Sequence, residues 1–227
     1  MAQAHRFNRW MAQTIKPFLI KGLSLEIGAG IGNISQHING PDYPLVLSDK
    51  SAAYLPVLKD IQDIYQMDIS DERSVNDLCT SYPSFSNVYS LNVLEHIEQD
   101  LQALSLCYRL LQPGGRLIKL VPAHPRLFNR FDTHLGHFRR YTPLSIRQKM
   151  EKVGFRVIHQ QYFNAVGILG WWFSGNMLKK KQIPHHQMQL FERGVNLFKA
   201  IDPLFQSWFG LSIISVGEKF TTLLVKN

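Results

Sequence analysis

Residues 26–32 read Glu-Ile-Gly-Ala-Gly-Ile-Gly, and three glycines at alternate positions let a backbone turn tightly and approach a ligand with no Cβ in the way. An acid closes each of the first three strand-like runs: Glu26, Asp49 and Asp68. The string is not G-x-G-x-x-G, because position 33 is Asn, so the dinucleotide fingerprint is met only in part. Taken singly, Glu26 could be a surface acid, and Asp49 and Asp68 could cap the helices that follow. Their coincidence with the glycine turn favours a ligand.

A second concentration of chemistry lies in VPAHPRLFNRFDTHLGHFRRYTP, which holds His124, Asp132, His134, His137, Arg139, Arg140 and Tyr141. A histidine with an ordinary pKa of roughly 6.5 is the natural general base near neutrality. His137 is the candidate base or orienting group and His134 the reserve, with His124, Arg140 and Tyr141 as substrate-binding partners. In the competing reading, His137 and Arg140 pin the loop through backbone carbonyls and an acid such as Asp132. Asp132, His134 and His137 could in principle offer three metal ligands, but no second cluster supports them and no metal is expected.

Strand and helix patterns alternate along the chain that must position these residues. Residues 4–20 read as a helix, followed by the strand-like runs LSLEIG, PLVLSD, IYQMD, NVYSLNVL, GRLIKLVP, FRVIHQQYF and LSIISVGEKF. Helical patterns fall between them, with a stop at Pro113-Gly114-Gly115 after the helix that begins at Glu98. This predicts an α/β fold: a doubly wound, Rossmann-like, seven-stranded and mostly parallel sheet with ligands at the C-terminal strand ends. Two stretches break the rhythm, a loop over 122–142 and a helical insert over 164–210 before the last strand.

The strings LEIGAGIGN, VLSDKS, MDIS, SLNVLEHI and LLQPGGRLIKLVP, in this order and spacing, resemble class I S-adenosylmethionine-dependent methyltransferases over roughly residues 20–160 plus the last strand. The resemblance implies S-adenosyl-L-methionine as cofactor. It also implies that Glu26 and the turn through Gly28, Ala29, Gly30 and Gly32 hold the methionine part. Asp49, beside Lys50, would meet the ribose hydroxyls; Asp68 and Ile69 would meet the adenine amine; Asn92 and Leu94 would line the far side. Asp132 to Thr142 fits D-x-x-x-G-H-x-R-R-Y-T, similar to a bacterial subset associated with glycan, lipid or secondary-metabolite pathways. The implied activity is methyl transfer to oxygen or nitrogen of a small apolar or lipid-linked metabolite. The rivals are an RNA or protein methyltransferase and a nonenzymatic cofactor-binding partner subunit. Against RNA stands a fourth strand reading SLNVLEH, with no Asn-Pro-Pro-Tyr type signature, and no nucleic acid partner is expected.

The chain has 227 residues, 45% of them hydrophobic and 19% charged, enough for one folded domain over 1–227 and too little charge for disorder. Two cysteines, Cys79 and Cys107, offer no disulfide framework and favour a cytoplasmic setting, as does the lack of a signal-peptide pattern. The net charge of +8 conceals a split: residues 42–100 carry 11 acids against 3 bases, and residues from 101 onward 18 bases against 5 acids. The second half is expected to meet an anionic partner or to present an ordinary basic surface. The insert holds Trp171, Trp172, Phe173, Met177, Met188, Phe191, Phe198, Phe205, Trp208 and Phe209, with Lys179 to Lys181 behind the first run. A cap over an apolar acceptor, with Trp171 touching it, or peripheral contact with an anionic membrane fits this composition; helices that only bury their own aromatics are the alternative. The helix over 1–21 is expected to fold over the cofactor as a lid, with Trp10 facing substrate, in a monomer or homodimer.

Overall fold

A computed structural model describes residues 4–58, 63–173 and 185–220. The strands are β1 (Ser24–Ile27), β2 (Leu45–Asp49), β3 (Asp63–Gln66), β4 (Phe85–Leu91), β5 (Leu111–Pro122), β6 (Phe155–Phe163) and β7 (Ser212–Lys219). They form one sheet in the order β3-β2-β1-β4-β5-β7-β6, with the short helices α2 (Ser35–Ile38) and α3 (Leu55–Leu58) following β1 and β2. β7 runs antiparallel to both its neighbours, and every other pairing is parallel. β1 and β2 are buried along their whole length, which is why they read as unbroken apolar runs and not as alternating ones.

Side chains alternate across this sheet and feed two cores. On one face, Leu25, Val46, Val88, Leu117 and Ile213 pack with α4 (Glu72–Ser81), α5 (Asp100–Leu110) and α7 (Pro143–Lys152). On the other, Leu45, Leu47, Tyr89, Ile118 and Ile214 pack with α1 (His5–Ile15) and α9 (His185–Ile201). The chain order reverses between β1 and β4, leaving a crevice at their C-terminal ends, the place where doubly wound sheets receive ligands.

Two boundaries differ from expectation. α5 ends at Leu110, and Pro113 to Gly115 lie inside β5, where the register with β4 jumps from Phe85↔Leu111 to Asn87↔Arg116. The Pro-Gly-Gly run therefore makes a bulge instead of stopping a helix. The stretch 122–142, expected as a loop, contains a 3-10 turn at Pro125–Leu127 and α6 (Arg130–Leu135). Asn129 and Asp132 cap α6 reciprocally and Gly136 closes it in the left-handed conformation. The insert is helical where described, with α8 (Gly167–Trp172), α9 and a 3-10 turn at Asp202–Leu204. Met177 and Lys179 to Lys181 lie outside the described residues.

Candidate active site

After β1 the chain turns through Gly28 (φ +75°) and Gly30 (φ +57°), a region that L side chains enter only with strain. A Cβ on Gly28 would stand 2.5 Å from Val93 Cγ2, whereas one on Gly30 would meet nothing within 4 Å, so the backbone there borders open space. That space is a cavity of about 800 Å³, within the usual range for small-molecule sites. Its lining brings together Glu26, Gly28, Ala29, Gly30, Asp49, Lys50, Asp68, Ile69 and Asn92.

Each acid keeps acceptor capacity after its bonds to protein. Glu26 is buried and accepts from Ser35 Oγ at 2.6 Å and Tyr89 OH at 3.0 Å, both on Oε2. Burial pushes its carboxyl up to about 7, the bonds from Ser35 and Tyr89 opposing and the charge of Asp49 adding. Asp49 accepts Gly30 N–H on Oδ2 and Ser51 N–H on Oδ1, both at 2.9 Å, which leaves a lone pair on each oxygen. Asp68 accepts Ser70 N–H and Oγ–H on Oδ1 alone. Opposite them, Asn92 holds φ +55°, a strained non-glycine conformation of the kind that collects at functional sites.

Several expected residues stand elsewhere. Gly32 belongs to the turn but does not line the cavity, and Leu94 is packed into the core, with Val93 and Ile97 on the wall in its place. Trp10 is buried against Phe163, ring centroids 4.5 Å apart, while its helix neighbours Asn8 and Met11 reach the cavity. Tyr141 is 1% exposed and donates to Asp100 Oδ2 at 2.9 Å, so it faces the core and not an acceptor. Arg140 donates from Nε to Asp132 Oδ1 at 2.8 Å and from Nη1 to Ala123 O at 3.0 Å, and lies over the Trp171 ring. Neither Arg140 nor Trp171 lines the cavity. His124 stacks on Tyr162, also away from it, and burial lowers its pKa. His134 lies exposed near the end of α6.

His137 places Nδ1 2.8 Å from Asp132 Oδ1 and packs its ring edge-on against His96 at 4.6 Å. It does not line the cavity; His96 does. Although burial acts the other way, the bonds from His137 and Arg140 hold the Asp132 carboxyl below the ordinary range. Much of the basic second half is likewise engaged: Arg139 and Lys149 with Asp100, Arg109 with Glu72, Arg156 with Glu218. Among the described residues the cavity carries Glu26, Asp49, Asp68 and Glu98 against one ammonium, Lys50, which suits a cationic ligand better than a polyanion.

A family model described as a methyltransferase domain matches residues 3–160. The chain belongs to this family. Its fold is also that of a SAM-dependent methyltransferase from Archaeoglobus fulgidus, with TM-score 0.62 and 14% identity over 93% of this chain and 94% of that one. A second similar structure is the N-methyltransferase NodS from Bradyrhizobium japonicum in complex with S-adenosyl-L-homocysteine (TM-score 0.58, 11% identity, 96% and 88% covered). A third is the CurJ carbon methyltransferase (TM-score 0.57, 14% identity, 94% and 54% covered). The sequence matches no curated protein. The protein is a methyltransferase that uses S-adenosylmethionine, and nitrogen and carbon enzymes among its structural neighbours show that the fold does not select the acceptor atom.

Sequence reasoning missed the methyltransferase's Asn8, Met11, Val93, Ile97 and Phe138 on the cavity wall, and the environment of Glu95. Glu95 is fully buried, and neither carboxylate oxygen has a hydrogen-bond partner. Burial pushes it up to about 8, against the nearby charges of Arg140 and Lys119. The adjacent Glu95-His96 pair in LEHI was the visible signal; what the pair faces depends on the segment around His137, 41 residues away.

Proposed function

We propose that this methyltransferase transfers a methyl group to oxygen or nitrogen of a small apolar or lipid-linked metabolite, with its cofactor in the cavity between β1 and β4. The observation that carries the reading is the lining: beside the acids, the glycine turn and polar groups such as Asn92 and Gln102, it has an apolar part that includes Met11, Ile34, Leu91, Val93, Ile97 and Phe138. Glu26 and the turn fit the aminoacyl end of the cofactor, the open lone pairs of Asp49 fit a ribose diol, and Asp68 with Ile69 fits the adenine. S-adenosylmethionine supplies an electrophilic methyl on a cationic sulfur, so the chain's own task is to align the acceptor and exclude water. Asn8 and Met11 on the wall support a lid role for α1, which α9 buttresses: Glu192 accepts the Arg6 and Phe7 N–H groups, and Phe191 packs on Phe7.

The insert supports contact with lipid. Leu169, Trp172, Phe173, Leu204, Trp208 and Phe209 are each exposed, large apolar side chains of the kind a lipid surface would cover. Both cysteines are unpaired, in keeping with a cytoplasmic location. No helix among the described residues is long and apolar enough to cross a membrane. The test supplies methyl-labelled S-adenosylmethionine with alcohol and amine acceptors of graded chain length. kcat/KM should climb with chain length, by up to about fourfold per buried methylene. A flat series, or transfer only to RNA or protein, would remove the apolar-acceptor reading. Sedimentation with anionic vesicles at low and high salt tests the membrane part, which requires binding that salt weakens.

A further inference from the structure

Glu95, His96 and His137 each offer one ligand atom, and these atoms lie within 4.8 Å of one another. Asp132 stands beside His137 Nδ1 at 2.8 Å and so keeps the ring proton on that nitrogen, which leaves the Nε2 lone pair facing Glu95 Oε1 at 3.9 Å. Both side chains are sequestered from water, Glu95 completely and His137 with 7% of its side chain exposed. The Nε2 lone pair and the Glu95 carboxyl thus face each other across a gap too long for a hydrogen bond, and neither oxygen of Glu95 has a hydrogen-bond partner. A buried carboxyl with no hydrogen-bond partner calls for a bound water or a cation, and a cation would hold it ionised. A single cation about 2.0–2.2 Å from each atom would bridge such a gap at a wide angle.

We propose that Glu95, His96 and His137 hold a divalent first-row transition cation of the zinc class in the wall of the cofactor cavity, where it receives an oxygen of the methyl acceptor. Two imidazoles and one carboxylate form a set suited to zinc and its neighbours, whereas magnesium favours all-oxygen sites. The support behind the ligands is that of a metal site: Asp132 orients His137, and Arg140 and the Asn129 N–H hold Asp132 in turn. His96 lines the cavity, so the ion is reached from the side that takes substrate. In this arrangement His137 is a ligand and not a base. The acceptor class becomes molecules with a hydroxyl or enol oxygen, whose proton leaves to solvent as the ion stabilises the oxyanion. This last part rests on the methyl-transfer reading; the ion site itself does not.

The experiment uses the full chain, stripped with a chelator and free of S-adenosylmethionine. Titration with Co²⁺ should give a visible ligand-field band that saturates at one equivalent and disappears when Zn²⁺ is added. Glu95→Gln and His137→Ala should each weaken Co²⁺ binding at least about tenfold, and Asp132→Asn by about 10–100-fold. His159→Ala, outside the cluster, should leave it unchanged. Thermal melts and S-adenosylhomocysteine binding by each variant establish that it is folded, so a lost band is read only from folded protein. No saturable band in the native chain, or a band indifferent to both ligand substitutions, overturns the site. Acetohydroxamate, a small bidentate oxygen ligand, should then shift the cobalt band. A band that forms but ignores it overturns the acceptor role, and neither result depends on whether methyl transfer occurs.

Discussion

The glycine turn with its three acids and the segment from Ala123 to Thr142 are both rich in polar side chains, yet they use them in opposite ways. In the segment, Asp132 is taken up by Arg140, His137 and the Asn129 N–H, and Tyr141 by Asp100, which also binds Lys149 and Arg139. At the turn, Asp49 keeps a lone pair on each oxygen, and Glu26 and Asp68 take their protein bonds on one oxygen each. Polar groups that satisfy one another hold the chain in place; polar groups left half-satisfied beside a cavity are free to hold a ligand. Glu95, in the turn after β4, faces His137 of the segment, yet neither of its oxygens has a hydrogen-bond partner.

The largest expected effect comes from breaking the saturated region. Asp132→Ala would leave the buried Arg140 guanidinium without its carboxylate and should cost about 3–5 kcal/mol in urea denaturation. A loss no greater than that of an exposed surface acid would mean the network holds nothing.

At the turn the expected effect depends on pH. The Glu26 carboxyl sits at about 7 in the folded chain against an ordinary 4.5, so the unfolded chain gives up this proton first as pH rises. The folded state therefore loses stability progressively between about pH 4.5 and 7, and above that carries a cost on the order of 3 kcal/mol. Glu26→Gln, which cannot ionise, should gain stability relative to the native protein from pH 5 to pH 8, by up to about that amount. Parallel urea titrations at the two pH values check it; an unchanged difference would place the Glu26 pKa near its ordinary value.

Gly28→Ala forces a side chain into the left-handed region and against Val93, and should cost about 1–2 kcal/mol while closing the turn to ligand. Differential scanning calorimetry with and without S-adenosylhomocysteine should show a lower Tm and no ligand-induced rise. The smallest effect is that of Tyr141→Phe, which removes one hydrogen bond to Asp100 and should cost about 1 kcal/mol with kcat and KM unchanged. A fall in kcat would bring Tyr141 back to the acceptor and blur the contrast between the regions.

The contrast also explains what the sequence revealed. The glycine turn, Asp49 and Asp68 were legible because each lies at, or within two residues of, the C-terminal end of a strand, so position carries them to the end of the sheet where ligands bind. In 124–141 the pinning of His137 and Arg140 by Asp132 was legible as the competing reading, because those partners lie within eight residues, whereas the place of Tyr141 depends on Asp100, 41 residues away, and what His137 faces depends on Glu95. Single-residue errors have a similar cause. Trp10 and Met11 are both buried on α1, about 100° apart on the helix, and the packing of α1 against α9 and Phe163 decides which one meets the cavity. Leu94 and Val93 differ in the same way at the turn after β4.

The claim that half-satisfied acids hold the cofactor is tested most directly by calorimetric titration of S-adenosylhomocysteine into the native protein, Asp49→Ala and Tyr141→Phe under one set of conditions. Two charge-assisted hydrogen bonds to a ribose are worth roughly 1.5–3 kcal/mol each, so Asp49→Ala should weaken binding at least about tenfold. Tyr141→Phe should bind within about twofold of the native protein. Native affinity in Asp49→Ala, or a larger loss in Tyr141→Phe, would contradict the account.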